Sequence, residues 1–244
     1  MNIEPNIFLL LIGIIGFLYA SVGHGGASGY LALMSLFSFS PEIMKPSALV
    51  LNILVSSIAF IFFYKSKQFR WRLFYPFAIT SIPFSFMGGF FKIDTHLYRA
   101  FLGIILLFVV IKLLGFGKKE KEEIKPIEFK KALLIGAIIG FISGILGIGG
   151  GVVLSPIILL LGWGRMKETA AVSALFILVN SVSGFLGFLA NNGQFPLQMS
   201  SIILVVLFGG TLGAFYGSEK FNNITLKYIL SFVLVLASVK LIMI

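Results

Sequence analysis

Long apolar runs separated by short polar turns dominate this chain, and two of those runs are interrupted by glycine. Residues 5–22 are apolar and meet a break at 23–29, after which 30–39 is apolar again. Further runs predict helices at 46–64, 72–91 and 95–115, each long enough to cross a bilayer. The pattern then recurs, with 129–146, a break at 147–151, a short segment at 152–162, and helices at 167–190, 196–217 and 223–243. The expected fold is all-α and polytopic.

The two breaks are copies of one another. With an offset of 124, Gly16, Phe17, Gly23, Gly25 and Gly26 fall on Gly140, Phe141, Gly147, Gly149 and Gly150. With an offset of 128, Asn52 falls on Asn180, Arg99 on Lys227, and residues 111–114 on 239–242. Matches in this order argue for an internal duplication. They divide the chain into an N-terminal membrane repeat, 1–116, a charged linker, 117–128, and a C-terminal membrane repeat, 129–244.

Composition agrees with a membrane solvent. The chain is 58% hydrophobic and 11% charged with a mean hydropathy of +1.05, where a soluble domain carries about 25% charge. Its net charge of +10 reads as basic cytoplasmic loops rather than a nucleic-acid surface. The first apolar run lacks a basic leader and an Ala-x-Ala site, so it reads as mature protein and not a cleaved signal. There are no cysteines, hence no disulfides and no thiolate metal sites.

Counting lysine and arginine orients the chain. Residues 5–39, as one continuous helix at about 1.5 Å per residue, are too long for a single crossing. If each break is a hairpin that returns to its starting side, each half makes three net crossings and the halves are inverted. Lys45, Lys92, Arg99 and Lys240 then face one side and the other fifteen basic residues face the opposite one. Breaks that cross once divide them only 12 to 7. The positive-inside rule prefers the hairpins, with the linker cytoplasmic and both termini extracytoplasmic in the cell membrane. Each repeat is then a glycine-broken re-entrant hairpin plus three transmembrane helices.

Paired broken helices in corresponding positions point to a transporter's binding site. Non-helical backbone at membrane depth survives only inside protein or around a cavity. The helices that restart after each break present free N–H groups and the positive end of the helix dipole. Glycine allows a ligand to approach that backbone. The candidate ligand set is Gly23, His24, Gly25, Gly26, Ala27 and Ser28 from the first break, and Gly147, Ile148, Gly149, Gly150, Gly151 and Val152 from the second. Asn52 and Asn180 are expected to orient the ligand. Their rival reading is a pair of interhelical hydrogen-bond partners.

The sign of the ligand follows from what the spans lack. Glu42, Asp94, Glu168 and Glu219 all sit near expected helix ends, and the only histidines are His24 and His96. A cation or metal carrier usually places carboxylates or several histidines at mid-depth. Serines and asparagines are the expected lining instead, and they can donate to an oxyanion. His24 doubles as a proton-coupling candidate because an imidazole titrates near physiological pH. Without a deep acid there is no intramembrane catalytic pair, so the chain is not expected to be an enzyme, nor to need a cofactor or metal. An anion channel or a divalent-cation permease is the competing reading.

The segment Ser143-Gly-Ile-Leu-Gly-Ile-Gly-Gly-Gly-Val-Val-Leu-Ser-Pro156 resembles the signature of the TauE/SafE sulfite exporter family, and Gly16–Gly26 is similar to a degenerate first copy of it. The resemblance covers essentially the whole chain. It implies export of small sulfur-containing anions such as sulfite or sulfoacetate, with an ion gradient, H+ among the options, as the driving force. The partners it implies are that anion and the lipid bilayer. One departure is Ala27-Ser28 in the first copy against Gly151-Val152 in the second, which makes the first break the more polar.

Overall fold

The computed structural model describes residues 5–91, 104, 107, 124–194, 200–222, 224, 225, 228, 231, 232 and 235. Every regular element among them is helical. In chain order they are α1 (Pro5–Ser21), α2 (Ala27–Leu36), α3 (Pro41–Lys65), α4 (Trp71–Phe90), α5 (Phe129–Leu146), α6 (Gly151–Leu161), α7 (Met166–Ala190) and α8 (Ser200–Phe215). A π-helical turn, Tyr216–Lys220, closes α8. Most of the expected helices at 95–115 and 223–243, together with His96 and residues 117–123 of the linker, lies outside the described residues.

Five described helices are long and apolar enough to cross a membrane, namely Glu42–Lys65, Trp71–Phe90, Phe129–Leu146, Met166–Ala190 and Ser200–Lys220. Helices satisfy all their interior backbone groups internally, which hydrocarbon demands. Leu10, Leu134, Leu204 and Phe208 point outward from the packed helices, as side chains in contact with lipid do.

Two boundaries differ from expectation. α3 begins at Pro41, five residues early, and carries Pro46 inside it. The missing Pro46 N–H deprives only Glu42 of a partner, and Glu42 is exposed at the helix start. α2 begins at Ala27 rather than residue 30, because Gly26 itself is the N-cap in the left-handed region, φ 96°.

Both broken segments double back. The Phe8 ring lies 4.9 Å from Phe37 and 5.5 Å from Phe39, and Tyr19 Oη shares a 2.8 Å hydrogen bond with Ser28 Oγ. So α2 returns along α1 to the level where α1 began. In the second segment the Lys125 N–H, just ahead of α5, donates to Gly162 O beyond the end of α6 at 2.8 Å.

Two glycine seams set the helix directions. A Cβ on Gly209, Gly213 or Gly217 would meet the carbonyl oxygens of Gly13, Phe17 and Ser21 in turn, so α1 runs parallel to α8. A Cβ on Gly136, Gly140 or Gly144 would meet those of Phe77, Ser81 and Ser85, so α4 runs parallel to α5. α3 accompanies α8, through Val55 against Gly210 and Phe62 against Phe215. α4 accompanies α7, through Arg70 and Glu168 at 3.1 Å and Asn191 Nδ2 donating to Phe90 O at 2.6 Å. α3 and α7 are antiparallel, since Asn52 meets Ser181 while Phe63 packs with Ala170 and Ala171. It follows that α1 and α5, the long arms of the two hairpins, point in opposite directions.

The two ends of the bundle differ in charge. One end gathers the turn at 66–70, residues 124–128 and 162–165, and the π-helical turn, tied by Ser66 Oγ to Glu219 at 2.6 Å and Lys167 Nζ to Ser218 O at 3.0 Å. Lys65, Lys67, Arg70, Arg72, Lys125, Lys130, Lys131, Arg165, Lys167 and Lys220 lie at or near it. The opposite end holds Phe37, Phe39, Phe91 and Asn191, and Lys45 is the one basic residue there among the described residues.

Candidate functional site

The two breaks are built alike. Gly23 and Gly147 end the long arms in the left-handed region with φ 74° and 73°, and Gly26 and Gly150 start the short arms there with φ 96° and 75°. An L side chain resists that region, so glycine at these paired positions answers a backbone need. Neither short arm has a side-chain cap from its own N-cap residue.

Helix α3 supplies a cap from outside. Asn52 Oδ1 accepts the Ala27 N–H at 2.9 Å, while its Nδ2 donates to Ser181 Oγ at 3.3 Å. Asn52 lies near the middle of α3 and is fully buried. A Cβ on Gly25 would collide with its Oδ1, and one on Gly149 would stand 2.7 Å from its Nδ2 and 2.8 Å from Ser181 Oγ. Both breaks therefore press on the same asparagine at mid-helix, one from each hairpin.

His24 joins the breaks directly. Its Nδ1 lies 2.8 Å from Val22 O, and its Nε2 lies 3.2 Å from Gly151 O and 3.1 Å from Ser155 Oγ. Ser155 continues to Ser173 Oγ at 2.7 Å. A ring nitrogen facing a carbonyl must carry a proton to bond it, and both nitrogens face one, so the neutral ring bonds either Val22 O or Gly151 O and not both. With the proton on Nδ1, Nε2 accepts from Ser155, and a second proton lets it donate to Gly151 O.

The backbone donors divide into used and unused. The Gly23 and His24 N–H groups bond Ala20 O and Tyr19 O, the Gly147 and Ile148 N–H groups both bond Ser143 O, and the Ala27 N–H is taken by Asn52. The N–H groups of Gly25, Gly26 and Ser28 find no acceptor among the described residues, and neither do those of Gly149, Gly150, Gly151 and Val152. Buried N–H groups are almost always paired, so these seven are donors awaiting a partner. Tyr30 Oη is also buried without a partner among the described residues, and it lies beside Gly26.

Other polar residues serve the packing. Asn180 Nδ2 bonds Phe176 O one turn back at 2.8 Å, its carbonyl accepts Ser85 Oγ at 2.8 Å, and its Oδ1 has no partner among the described residues. It bonds no backbone group of either break. Thr80 and Ser183 donate to Leu133 O and Ile82 O across helix interfaces, and Ser57 bonds its own helix at Ile53 O. Sequence reasoning passed over Ser173, Tyr30 and Lys45, which local pattern does not distinguish from dozens of buried or interfacial neighbours. Among the described residues no three His, Cys, Asp or Glu side chains gather as a metal site.

The family model described as sulfite exporter TauE/SafE matches residues 8–241. A probable membrane transporter protein of Sinorhizobium fredii is 39% identical over 99% of both chains. Probable membrane transporter proteins of Bacillus subtilis, 25% identical over 97% of this chain and 100% of the relative, and of Methanocaldococcus jannaschii, 28% identical over 80% and 77%, are also similar. No solved structure matches.

Proposed function

This chain belongs to the TauE/SafE sulfite exporter family and is a multi-pass membrane transporter, not an enzyme, and we propose that its cargo is a small sulfur-containing anion such as sulfite or an organosulfonate. The observation that carries this reading is the meeting of two broken hairpins at Asn52, with seven backbone N–H groups left without acceptors among the described residues. Helix N-termini bind anions through such groups and through the dipole. The site needs no lysine at its centre, and none lies there among the described residues.

The opposed directions of α1 and α5 support a pair of inverted repeats that rock about the tips in alternating access. The concentration of basic residues at one end supports placing that end in the cytoplasm and both termini outside the cell membrane. Asn52 holds the first tip in register. His24 is the proton link. Its second proton redirects Nε2 from Ser155 to the Gly151 carbonyl, clasping the two hairpins together at the moment the site gains a positive charge.

A thermal-shift screen of sulfite, sulfate, thiosulfate and sulfonates tests the cargo. A ligand at about 100 times its dissociation constant stabilises the folded state by about 2.7 kcal/mol. The expected result is a rise in unfolding temperature with sulfite or a sulfonate and none with divalent cations. A response to cations alone would favour the cation permease. His24→Gln keeps a ring-free hydrogen-bonding group but takes no second proton. In proteoliposomes the expected variant moves the anion down its own gradient while losing acceleration by an imposed pH gradient. An unchanged response to the pH gradient would remove His24 from coupling.

A further inference from the structure

Lys45 is buried in the first turns of a membrane-spanning helix, and no part of the tip mechanism uses it. Its ammonium has no carboxylate partner among the described residues. Instead Nζ donates to Gly89 O and Phe91 O, both at 3.3 Å, and stands 5.9 Å from the centre of the Phe188 ring. Those carbonyls are the negative end of α4, where a cation is welcome. Both bonds are long, and a third N–H of the ammonium remains. An ionisable group inside a membrane domain marks an ion or substrate path far more often than a packing site.

Its position defines the path. Lys45, Leu49 and Asn52 follow at i, i+4 and i+7, one face of α3. The second break lies along that face, with Gly147 packed on Lys45 and Leu49 and Gly149 packed on Asn52. At about 1.5 Å per residue, Lys45 stands about 10 Å from Asn52 toward the end of the bundle opposite the basic turn. On α7 the residue that makes the matching contact with the first break is Ala170, against which Gly23 packs. Thr169 adjoins Ala170, and its hydroxyl is buried without a partner among the described residues. The two breaks thus have comparable flanks, one beside a buried ammonium and one beside a buried hydroxyl.

We propose that Lys45 is an anion-binding residue on the approach from the weakly basic end, releasing the α4 carbonyls to take the anion as it passes between that face and the glycine tips. This deepens the anion-transport reading and rests on it. The lysine stem is flexible and its ammonium is a point charge, which suits a group that changes partners. A hydroxyl rather than an ammonium beside the first break then makes the two flanks unequal.

Because the chain has no cysteine, Lys45→Cys introduces a single thiol and permits a charge-specific test. Sulfite flux is measured in proteoliposomes for the wild type, Lys45→Cys, and Lys45→Cys after alkylation of the thiol to an ethylammonium thioether or a neutral ethyl thioether, which sulfite does not cleave, with intact mass verifying each adduct. The expected result is about a tenfold or greater loss in Lys45→Cys, as for one charge-assisted hydrogen bond, recovery with the ethylammonium adduct, and none with the neutral adduct. Lys45→Arg is expected to keep most of the flux. Normal flux in Lys45→Cys, or equal recovery with both adducts, overturns the proposal. A wild type that moves neither sulfite nor a sulfonate overturns the anion reading itself and this proposal with it, a result distinct from a transporting wild type indifferent to Lys45.

Discussion

Gly149→Ala is expected to stop sulfite flux in proteoliposomes while the protein still purifies as a monodisperse species, and Gly25→Ala is expected to do the same. Each Cβ falls on Asn52, the residue that holds Ala27 and Ser181. At Gly149 the backbone is also left-handed, φ 69°, which costs an alanine about 1–2 kcal/mol. The relief open to either variant is to push the break away from Asn52, which misdirects the free N–H groups of the short arm. A hydrogen bond to a charged ligand is worth about 1.5–3 kcal/mol, so losing a single donor lowers affinity about tenfold to a hundredfold. Gly29→Ala is a useful control, because its Cβ meets the Ile15 and Tyr19 side chains and not Asn52. Wild-type flux in a folded Gly25→Ala, Gly149→Ala double variant would sink the glycine-tip site.

The second large effect lies in the seams and reads out as folding. Gly140→Leu and Gly213→Leu are expected to leave little folded protein in the membrane fraction. Their Cβ atoms would meet Ser81 O and Phe17 O, backbone atoms that cannot rotate aside. Small residues let membrane helices approach this closely, and overpacking a fitted interface costs about 1–3 kcal/mol before any helix is displaced. The leucine branch adds more, since it must part α4 from α5 or α1 from α8. Detergent extraction with size-exclusion chromatography checks the outcome, and a stable, well-behaved Gly140→Leu protein would disprove the seam.

Much of this fold was legible in the sequence because membrane solvent writes itself into hydropathy. Apolar length marked the spans, and glycine pairs at one offset marked both breaks. The left-handed caps at Gly23, Gly26, Gly147 and Gly150 are the physical reason those glycines recur. Boundaries were less legible. Pro46 looked like a helix start, yet the helix runs through it because only the exposed Glu42 loses a bond. The seams were legible only as glycines, without their partners.

The site divides the same way. From sequence alone came the paired broken hairpins, their free helix ends, and the scarcity of acids away from the helix ends, on which the anion reading rests. All of these are consequences of local backbone chemistry and of the cost of burying charge. Only the tertiary structure decided that Asn52 serves both breaks, that His24 reaches Gly151 and Ser155 in the other hairpin, and that five of the expected backbone donors are already occupied. It alone turned Lys45 from an interfacial charge into a buried ammonium beside Gly147. Hydropathy and glycine spacing record how each residue meets its solvent. Which helix faces lie together across more than a hundred residues depends on how the whole set packs, and no local pattern carries that.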